Sequence, residues 1–370
     1  MGNADSVQLR HGAHRVHEIC ADAVEPTEFV DALREVFARS LGVCASFISA
    51  TDPDTTIVAT AAVVDNLPLA MCAPWFHNEF LAEDFNKFAD LHRNASAVAT
   101  LHRATQNHPV LSPRYVELYQ PVGFGPELRT TFSMDGACWG IANLLRESGT
   151  QDFDDVELAW VEQLRRPIAD ALRRRILGSG VHDNDDVIPG IVTFDPDGHI
   201  LSMSENAAAL LDELDMLPID AGPDVQVPGQ AYMVVTLARA RATGHGSALR
   251  PVTRVRGSSG RWLTLRGDCT TARSGEIVNV VLVIEPSRPS EITPLLVAAY
   301  NLTAREQEVL GELTAGRRTA EIAARLFISE HTVRDHIKSI FAKTATTSRG
   351  ELMSTMFHQH AYPVTNVVHH

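Results

Sequence analysis

Between residues 303 and 352 the chain sets four helix-start signals and a helix stop so close together that only a cluster of short helices can satisfy them. Thr303 followed by Glu306 forms a capping box. Val309, Leu310 and Leu313 follow at helical spacing, and Gly316 stands where a helix turns left-handed and stops. Thr319 opens a second helix with Ile322, Ala323 and Leu326 apolar, and Phe327-Ile328 is a short link. Ser329 caps a third helix whose inward positions are Val333, Ile337, Ile340 and Phe341. A fourth begins near Ser348, with Leu352, Met356 and Phe357 inward. Helices of two or three turns are marginal alone, so they must bury these stripes against one another.

The outer face of the third helix carries His331, Thr332, Arg334, Asp335 and Lys338. Two short helices with a tight link, the second polar on one face, make a helix-turn-helix, whose second helix enters a DNA major groove. The string from Leu302 to Leu352 closely resembles the DNA-binding domain of the LuxR family of bacterial transcription factors. The resemblance lies in LTAREQEVL, Gly316, EIAARL, the Ser329 cap, TVRDHI, Lys343 and SRGEL. Thr344-Ala345-Thr346 departs from it, since family members usually have an apolar residue and a Gly there.

The resemblance implies that Arg334, Asp335 and Lys338 reach into the major groove, and Ser329 and His331 at the start of the helix are counted with them as DNA-binding candidates. Arg and Lys suit guanine O6 and N7, and an acidic side chain accepts from cytosine N4. Thr332 and Lys343 are expected to hold phosphates, which position the helix without reading sequence. Asp335 is equally compatible with an ion pair to Arg334 or Lys338 within the helix. A bare packing module would also show caps and stripes, but it does not account for those charges sharing one face of a capped helix.

Charge supports DNA contact only locally. The chain carries −14, from 32 basic and 46 acidic residues. Residues 302–358 hold eight basic against seven acidic residues, a net of +1, which leaves −15 for the rest. Such a head binds DNA poorly alone and needs a second copy to reach useful affinity. A homodimer on double-stranded DNA is therefore expected.

At 370 residues the chain has room for two or three domains. Residues 1–25 read as a flexible lead. Residues 26–177 read as an α+β domain: a helix from Thr27, strands at 45–50 and 56–64, a helix at 78–92, and strands at 128–134 and 137–145 joined by Asp135-Gly136. A long closing helix follows, with Pro167 inside it. Its stripe of Phe153, Val156, Trp160, Leu164, Ile168 and Leu172 is the candidate dimer seam, and the arginines at 165–166 and 173–175 read as a solvated face. After a polar linker at 178–186, residues 187–286 read as a second α+β domain. Its strands at 190–194 and 199–204 are joined by Asp195-Pro196-Asp197-Gly198, and it continues with helices at 206–214 and 230–242 and strands at 249–256, 261–271 and 277–285. Residues 286–294 form a Pro- and Ser-rich hinge to the head at 295–360. No repeat appears at solenoid periods.

The first domain resembles a GAF domain in its element order and in Cys138-Trp139-Gly140-Ile141 through DFDDVEL; the second resembles a PAS domain through IVTFDPDGHILSMSENAAALL. The whole is thus expected to be multidomain, an α+β GAF-like domain, an α+β PAS-like domain and an all-α four-helix head, similar to actinobacterial LuxR regulators with such sensors. The resemblance implies a one-component transcriptional regulator, with RNA polymerase and a small molecule in the GAF-like domain as further partners it admits. The competing class is a signalling protein that acts by protein–protein contact and uses its helical domain only to dimerise.

Other classes find little footing. No stretch approaches the length of a membrane helix, and the N-terminus lacks a secretory apolar core, which points to the cytoplasm. The five cysteines (20, 44, 72, 138, 269) are scattered and read as reduced, buried thiols. His77, His92, His102 and His108 share a stretch but lack zinc-site spacing, so neither metal nor cofactor is expected. GxxxxGK[ST] and GxSxG are absent, so no enzyme is expected. Trp75, Phe76, Phe80, Phe85 and Phe88 read as core; an apolar ligand pocket, if there is one, would use these rings.

Overall fold

The structure is a computed structural model, and it describes residues 3–22, 25–94, 97–176, 187–214, 217–222, 225–244 and 249–353. The 178–186 linker, Met356 and Phe357 lie outside the described residues. The chain divides into two compact units. One is built from residues 1–175, 188–258 and 263–285; the other is mainly residues 286–370, with 176–187 and 259–262.

The first unit opens with α1 (Asn3–Ala21), where sequence suggested a flexible lead. Leu9, Val16, Ile19 and Cys20 of α1 are buried. α2 (Pro26–Leu41) starts one residue before Thr27, with Pro26 at its first position, which suits a residue lacking an N–H. β1 (Ala45–Thr51) and β2 (Val58–Asp65) follow. The single helix expected at 78–92 is two, α3 (Cys72–Phe80) and α4 (Phe88–Arg93), divided by residues 81–87. β3 (Val98–Thr100) and α5 (Leu101–Ala104) lead into short helical turns. The long hairpin of β4 (Phe124–Met134) and β5 (Ala137–Glu147) comes next. Its turn forms as expected, with φ of +53° at Asp135 and +82° at Gly136.

These strands form one antiparallel sheet in the order β2-β1-β5-β4-β3. β1 is buried along its whole length and β4 and β5 nearly so, because both faces are covered. Register places Phe132 opposite Gly140 on one face, where Phe37 of α2 stacks on Phe132 at 6.5 Å. Phe47, Asn143 and Arg129 lie in a row on the other face, under Trp75 of α3 and Phe88 of α4.

α6 (Asp155–Ile176) closes this part, running through Pro167 without a break in its assignment. Asp154 Oδ1 accepts from the backbone N–H groups of Val156 and Glu157, so Asp154 rather than Asp152 caps it. The stripe expected to be a dimer seam is consumed inside the fold. Phe153, Trp160, Leu164, Ile168 and Leu172 are buried, and only Val156 is exposed. Trp160 meets Phe37 edge-on at 5.9 Å, and its Nε1 donates to the Leu9 carbonyl at 2.6 Å. Of the arginines read as a solvated face, Arg166 and Arg174 are exposed, whereas Arg165, Arg173 and Arg175 are half-buried. Arg165 donates to the Thr131 carbonyl at 2.7 Å, while Arg174 and Arg175 donate to the Cys20 and Ile19 carbonyls at 2.9 and 3.1 Å. Arg174 and Arg175 thus satisfy carbonyls in the last turn of α1.

A second sheet is built from β6 (Gly190–Phe194), β7 (Ile200–Met203), β10, β11 and β12. Between β7 and β10 lie α7 (Glu205–Asp212), the hairpin β8 (Pro218–Asp220) and β9 (Gln226–Pro228), and α8 (Gly229–Ala242). β10 spans Val252–Arg256, β11 Trp262–Thr271 and β12 Ile277–Pro286. The expected DPDG turn forms, with Asp195 Oδ1 accepting from the N–H groups of Asp197 and His199 at 2.9 Å. Ser204, ahead of the expected Asn206, caps α7. The strand order is β10-β11-β12-β6-β7. Set aside the small hairpin and this is the order of the first sheet read from its other edge, a repeat of topology that sequence periodicity does not reveal.

The two sheets belong to one unit. Arg254 of β10 forks onto Asp52, with Nε to Oδ2 at 2.8 Å and Nη2 to Oδ1 at 2.6 Å, and also reaches Asp54. Burial opposes the Arg254 charge, but the two carboxylates outweigh it and hold its pKa above the ordinary value. Tyr232 of α8 lies 6.4 Å from Phe76 of α3, ring to ring.

The second unit is helical: α9 (Pro289–Ala299), α10 (Ala304–Thr314), α11 (Thr319–Leu326), α12 (Glu330–Thr344) and α13 (Arg349–Met353). The Pro-rich stretch read as a hinge is thus the start of α9, its first turn closed by Glu291 accepting from the Arg288 N–H at 2.8 Å. Among the described residues no helix is long and apolar enough to cross a membrane.

Because Leu164 is 1% exposed, Leu164→Glu strands a charge in the core rather than splitting a dimer. We expect it to destabilise the first unit by about 4 kcal/mol or more. Urea unfolding followed by near-ultraviolet dichroism, beside sedimentation, should show lost tertiary structure and no clean shift from folded dimer to folded monomer.

Candidate nucleic-acid interface

The start of α10 forms the expected box. Thr303 Oγ1 accepts from the Glu306 N–H at 3.3 Å, and Glu306 Oε2 accepts from the Thr303 N–H at 2.7 Å. Gly316 has φ +82° just past the end of the helix, as read from sequence. Val309, Leu310 and Leu313 of α10 meet Ile322 and Ala323 of α11 and Val333 and Ile340 of α12 in a buried core. Ile337 and Phe341 are half-buried at its edge. Phe327 ends α11 in the left-handed conformation (φ +55°) and is 94% exposed.

Ser329 caps α12, its Oγ accepting from the Thr332 N–H at 3.1 Å and lying 2.8 Å from Thr332 Oγ1. This fixes the first turn of the helix, so the polar residues after it leave the surface in a defined direction. His331, Arg334, Asp335 and Lys338 are all exposed. Arg334 donates to Glu330 at 2.8 Å, one turn back. Asp335 faces His331 at 3.7 Å, so its neighbour is neither of the two cations that sequence offered. Among the described residues Lys338 makes no ion pair. Exposed i,i+4 pairs contribute a few tenths of a kcal/mol, about 0.3–0.5, so both are readily exchanged for contacts to a duplex.

Lys343 stands apart from this face. Its Nζ donates to Glu306 Oε2 at 2.6 Å and to the Asn301 carbonyl at 2.9 Å. Ser339 Oγ donates to the other Glu306 oxygen at 2.6 Å. Glu306 is buried, and burial by itself would raise its pKa. The bonds from Lys343, Ser339 and Thr303 more than reverse that and bring it down to about 2. One carboxylate therefore ties the first turn of α10 to the last turns of α12. Sequence marked Glu306 as a box residue but held no signal for its second partnership, 37 positions on.

Other basic residues of the head are also spent internally. Arg305 donates to the Leu326 carbonyl at 2.8 Å, and Arg349 to the Arg317 carbonyl at 2.8 Å. Arg317 and Arg325 converge on Glu312. Among the described residues of the head, Arg318 and Lys338 are exposed with no ion pair, and Arg334 is exposed with only Glu330 one turn back. In the departing turn, Ala345 takes the left-handed conformation at φ +51°. Thr344 is buried, its hydroxyl donating to the Ile340 carbonyl at 2.9 Å and lying 2.9 Å from Thr346 Oγ1. The turn is thus made with a strained Ala at a left-handed position.

The thiols offer no reactive centre in this geometry. Burial pushes Cys20 and Cys72 up to about 11 and raises Cys44, Cys138 and Cys269, which keeps them protonated. Among the described residues no three His, Cys, Asp or Glu side chains gather as a metal site.

Residues 300–356 match the family model of the bacterial regulatory proteins of the luxR family. An uncharacterized transcriptional regulatory protein of Bacillus subtilis, YhcZ, is 48% identical over 50 residues, 14% of this chain and 23% of that protein. The CsgBAC operon transcriptional regulatory protein of Escherichia coli is 45% identical over 53 residues, 14% of this chain and 24% of that one. The spore germination protein GerE of Bacillus subtilis is 46% identical over 50 residues, 14% of this chain but 68% of its own length. The chain therefore spans about a quarter of the first two relatives and two thirds of the third. Among solved structures, the GAF domain of an Acinetobacter phosphoenolpyruvate-protein phosphotransferase aligns with 49% of this chain and 100% of its own at 14% identity and a TM-score of 0.32.

Two outcomes follow for the head. Lys343→Ala leaves the buried Glu306 carboxylate short of its cation and should lower stability, by about 3 kcal/mol if the site does not relax. Since the Glu306 pKa is depressed on folding, its contribution is fully present above the unfolded value of 4.5 and is lost as pH falls towards 2. Acid titration of helicity should show that loss in the native head and a flatter profile in Lys343→Ala. Ala345→Gly removes the left-handed strain and should raise stability by about 0.5–1 kcal/mol in chemical denaturation.

Proposed function

We propose that this chain, which belongs to the luxR family of bacterial regulatory proteins, regulates transcription by binding specific duplex DNA through α12. The observation that carries the reading is the division of α12. Val333 and Ile340 are locked in the core, Ser329 fixes the first turn, and Arg334, Asp335 and Lys338 project from the exposed side. That arrangement fits a recognition helix in a major groove. In this reading Arg334 and Lys338 donate to guanine, Asp335 accepts from cytosine N4, and Ser329, His331 and Thr332 sit at the helix start near the backbone. Lys343 is reassigned from phosphate contact to the internal pair with Glu306, and Arg318 is the outward cation that takes its place.

With so few free cations, one head makes few phosphate contacts and binds weakly. Useful affinity then comes from two heads on two half-sites, so the working species is a homodimer. The stripe of α6 is excluded as its seam by burial. The two upstream α+β modules, read as GAF-like and PAS-like, act as the sensor, and a small-molecule signal must favour one state of the chain over the other to have any effect. The setting is the bacterial cytoplasm, with RNA polymerase as a downstream partner. A purely dimerising role for the head is the outcome that would replace this reading.

Mobility-shift titrations with genomic fragments test it. Arg334→Ala and Lys338→Ala should weaken operator binding strongly, each by about 1–3 kcal/mol. Asp335→Ala should relax preference at one base pair by a similar amount, whereas Lys343→Ala should change stability more than selectivity. Residues 295–370 alone should bind more weakly than the full chain. If Arg334→Ala and Lys338→Ala both leave affinity and selectivity unchanged, α12 is not the reading helix.

A further inference from the structure

The segment between α3 and α4 ends in a lysine, in a chain that otherwise builds its cations from arginine. Of 32 basic residues three are lysines, and Lys338 and Lys343 both belong to the head, which leaves Lys87 for everything before it. Lys87 is the N-cap residue of α4, its carbonyl accepting from the N–H groups of Asp90 and Leu91 at 3.0 and 2.9 Å. Its side chain is half-buried, and Nζ donates to the Ala82 carbonyl. Among the described residues it makes no ion pair. The carboxylates nearest in charge are taken by arginines: Glu79 by Arg129 at 2.7 Å, Asp84 by Arg114 at 3.7 Å and Asp90 by Arg93 at 3.3 Å. A half-buried lysine without a counter-ion is seldom kept for packing alone, and nothing in the DNA-binding head calls for this one.

Lys87 and Ala82 both line a cavity of about 440 Å³, the size of a small-molecule site, and Trp75, Phe80, Phe88 and Met233 give it apolar walls. Its charged lining is four acidic residues against two basic ones. That excess of acid repels a ligand carboxylate or phosphate, so Lys87 is not placed as an anion clamp. The same wall accepts a positive charge at Nζ, and a protonated imine carries the charge of the ammonium it replaces. Burial lowers the Lys87 pKa by more than Glu79, Asp84 and Asp90 raise it. More of this amine is therefore uncharged and nucleophilic than on an exposed lysine, which is the condition that imine-forming lysines meet. Arginine, the cation used everywhere else upstream, stays protonated and cannot make that bond.

We propose that Lys87 captures a small apolar aldehyde or ketone as a reversible Schiff base, the body of the molecule held by Trp75, Phe80, Phe88 and Met233. The Nζ lone pair attacks the carbonyl carbon, the C–N bond forms, and a proton passes from nitrogen to the carbonyl oxygen. The hydroxyl of that carbinolamine leaves as water with a proton from solvent, and a protonated imine remains. No oxidant or reductant is consumed, and hydrolysis reverses the bond. The proposal rests on the reading of the upstream modules as a sensor and gives that sensor a ligand class. It adds a nucleophile to the apolar pocket that the aromatic cluster suggested from sequence. Met233 belongs to α8, so both α+β modules of the first unit contribute to the wall.

The test uses the full chain with benzaldehyde as the probe, and cyanoborohydride to fix any imine as a benzylamine that peptide mass mapping locates. Lys87 should be benzylated several-fold more than Lys338 and Lys343, which serve as comparators within the same molecule. Met233→Trp, which fills the cavity, should cut labelling at Lys87 and leave that at Lys338 unchanged. Lys87→Arg should lose the upstream adduct and retain binding to duplex DNA. The map of the native chain decides the matter even if a variant fails to fold. Lys87 labelled no more than the head lysines, or labelled equally in folded Met233→Trp, would overturn the proposal. The adduct is read by mass and not by DNA binding, so an adduct on Lys87 that leaves operator affinity unchanged upholds the site and overturns the sensor reading instead.

Discussion

The geometry of the head hangs on the Glu306 carboxylate. It closes the capping box of α10 with one oxygen, which also holds Lys343, and takes the Ser339 hydroxyl with the other. A buried anion with three donors from two helices has one low-energy arrangement, so it sets where α12 runs relative to α10. Hydrophobic contact among Val309, Leu310, Ile322, Val333 and Ile340 supplies the driving force but is tolerant of small rotations. On the proposed reading, base recognition is not, because Arg334 and Lys338 would have to meet base edges within hydrogen-bond reach. The ion pair therefore converts a loosely specified bundle into a fixed presentation of one helix face, and it does so with a lysine that the charge inventory had counted toward DNA.

The same economy explains why so acidic a chain can carry a DNA-reading head. Arg305 satisfies the Leu326 carbonyl at the end of α11, Arg349 the Arg317 carbonyl between α10 and α11, and Arg317 and Arg325 share Glu312. What remains outward is a small set of cations on one side of α12 and at the start of α11. On the proposed reading such a head has weak non-specific attraction, and its discrimination comes from base contacts and duplicated half-sites rather than from the phosphate backbone.

The head was the most legible part of the sequence because its signals are local. A capping box, a C′ glycine and a Ser cap act within four residues, and each forms where the spacing placed it. The hairpin at Asp135-Gly136 and the DPDG turn were legible for the same reason. What local pattern cannot tell is which partner a surface meets. The stripe of α6 has the same period whether it faces another chain or its own sheet, and here Phe37, Leu9 and the sheet occupy it. The arginines at 173–175 look solvated until α1 supplies carbonyls, and α1 itself was missed because its few apolar residues, Leu9, Val16, Ile19 and Cys20, are diluted by His and Arg. The Pro-rich start of α9 misled in the opposite way, since Pro289 sits at the first helical position, where Pro is tolerated. Lys343 and Glu306 each carried a correct local assignment, but the bond between them spans 37 residues and leaves no periodic trace.

The first unit couples its two sheets by interactions of contrasting kind, and the contrast bears on how a signal could act. At one point Arg254 is clamped by Asp52 and Asp54, a charge-assisted junction that resists small displacements. At another, α8 meets α3 through aromatic rings, with Tyr232 6.4 Å from Phe76. An apolar contact of that sort can repack by a rotamer change, which a buried fork of hydrogen bonds cannot. Under the proposed sensor role, movement of one sheet against the other is therefore easier at the α3–α8 contact than at the Asp52–Arg254 junction.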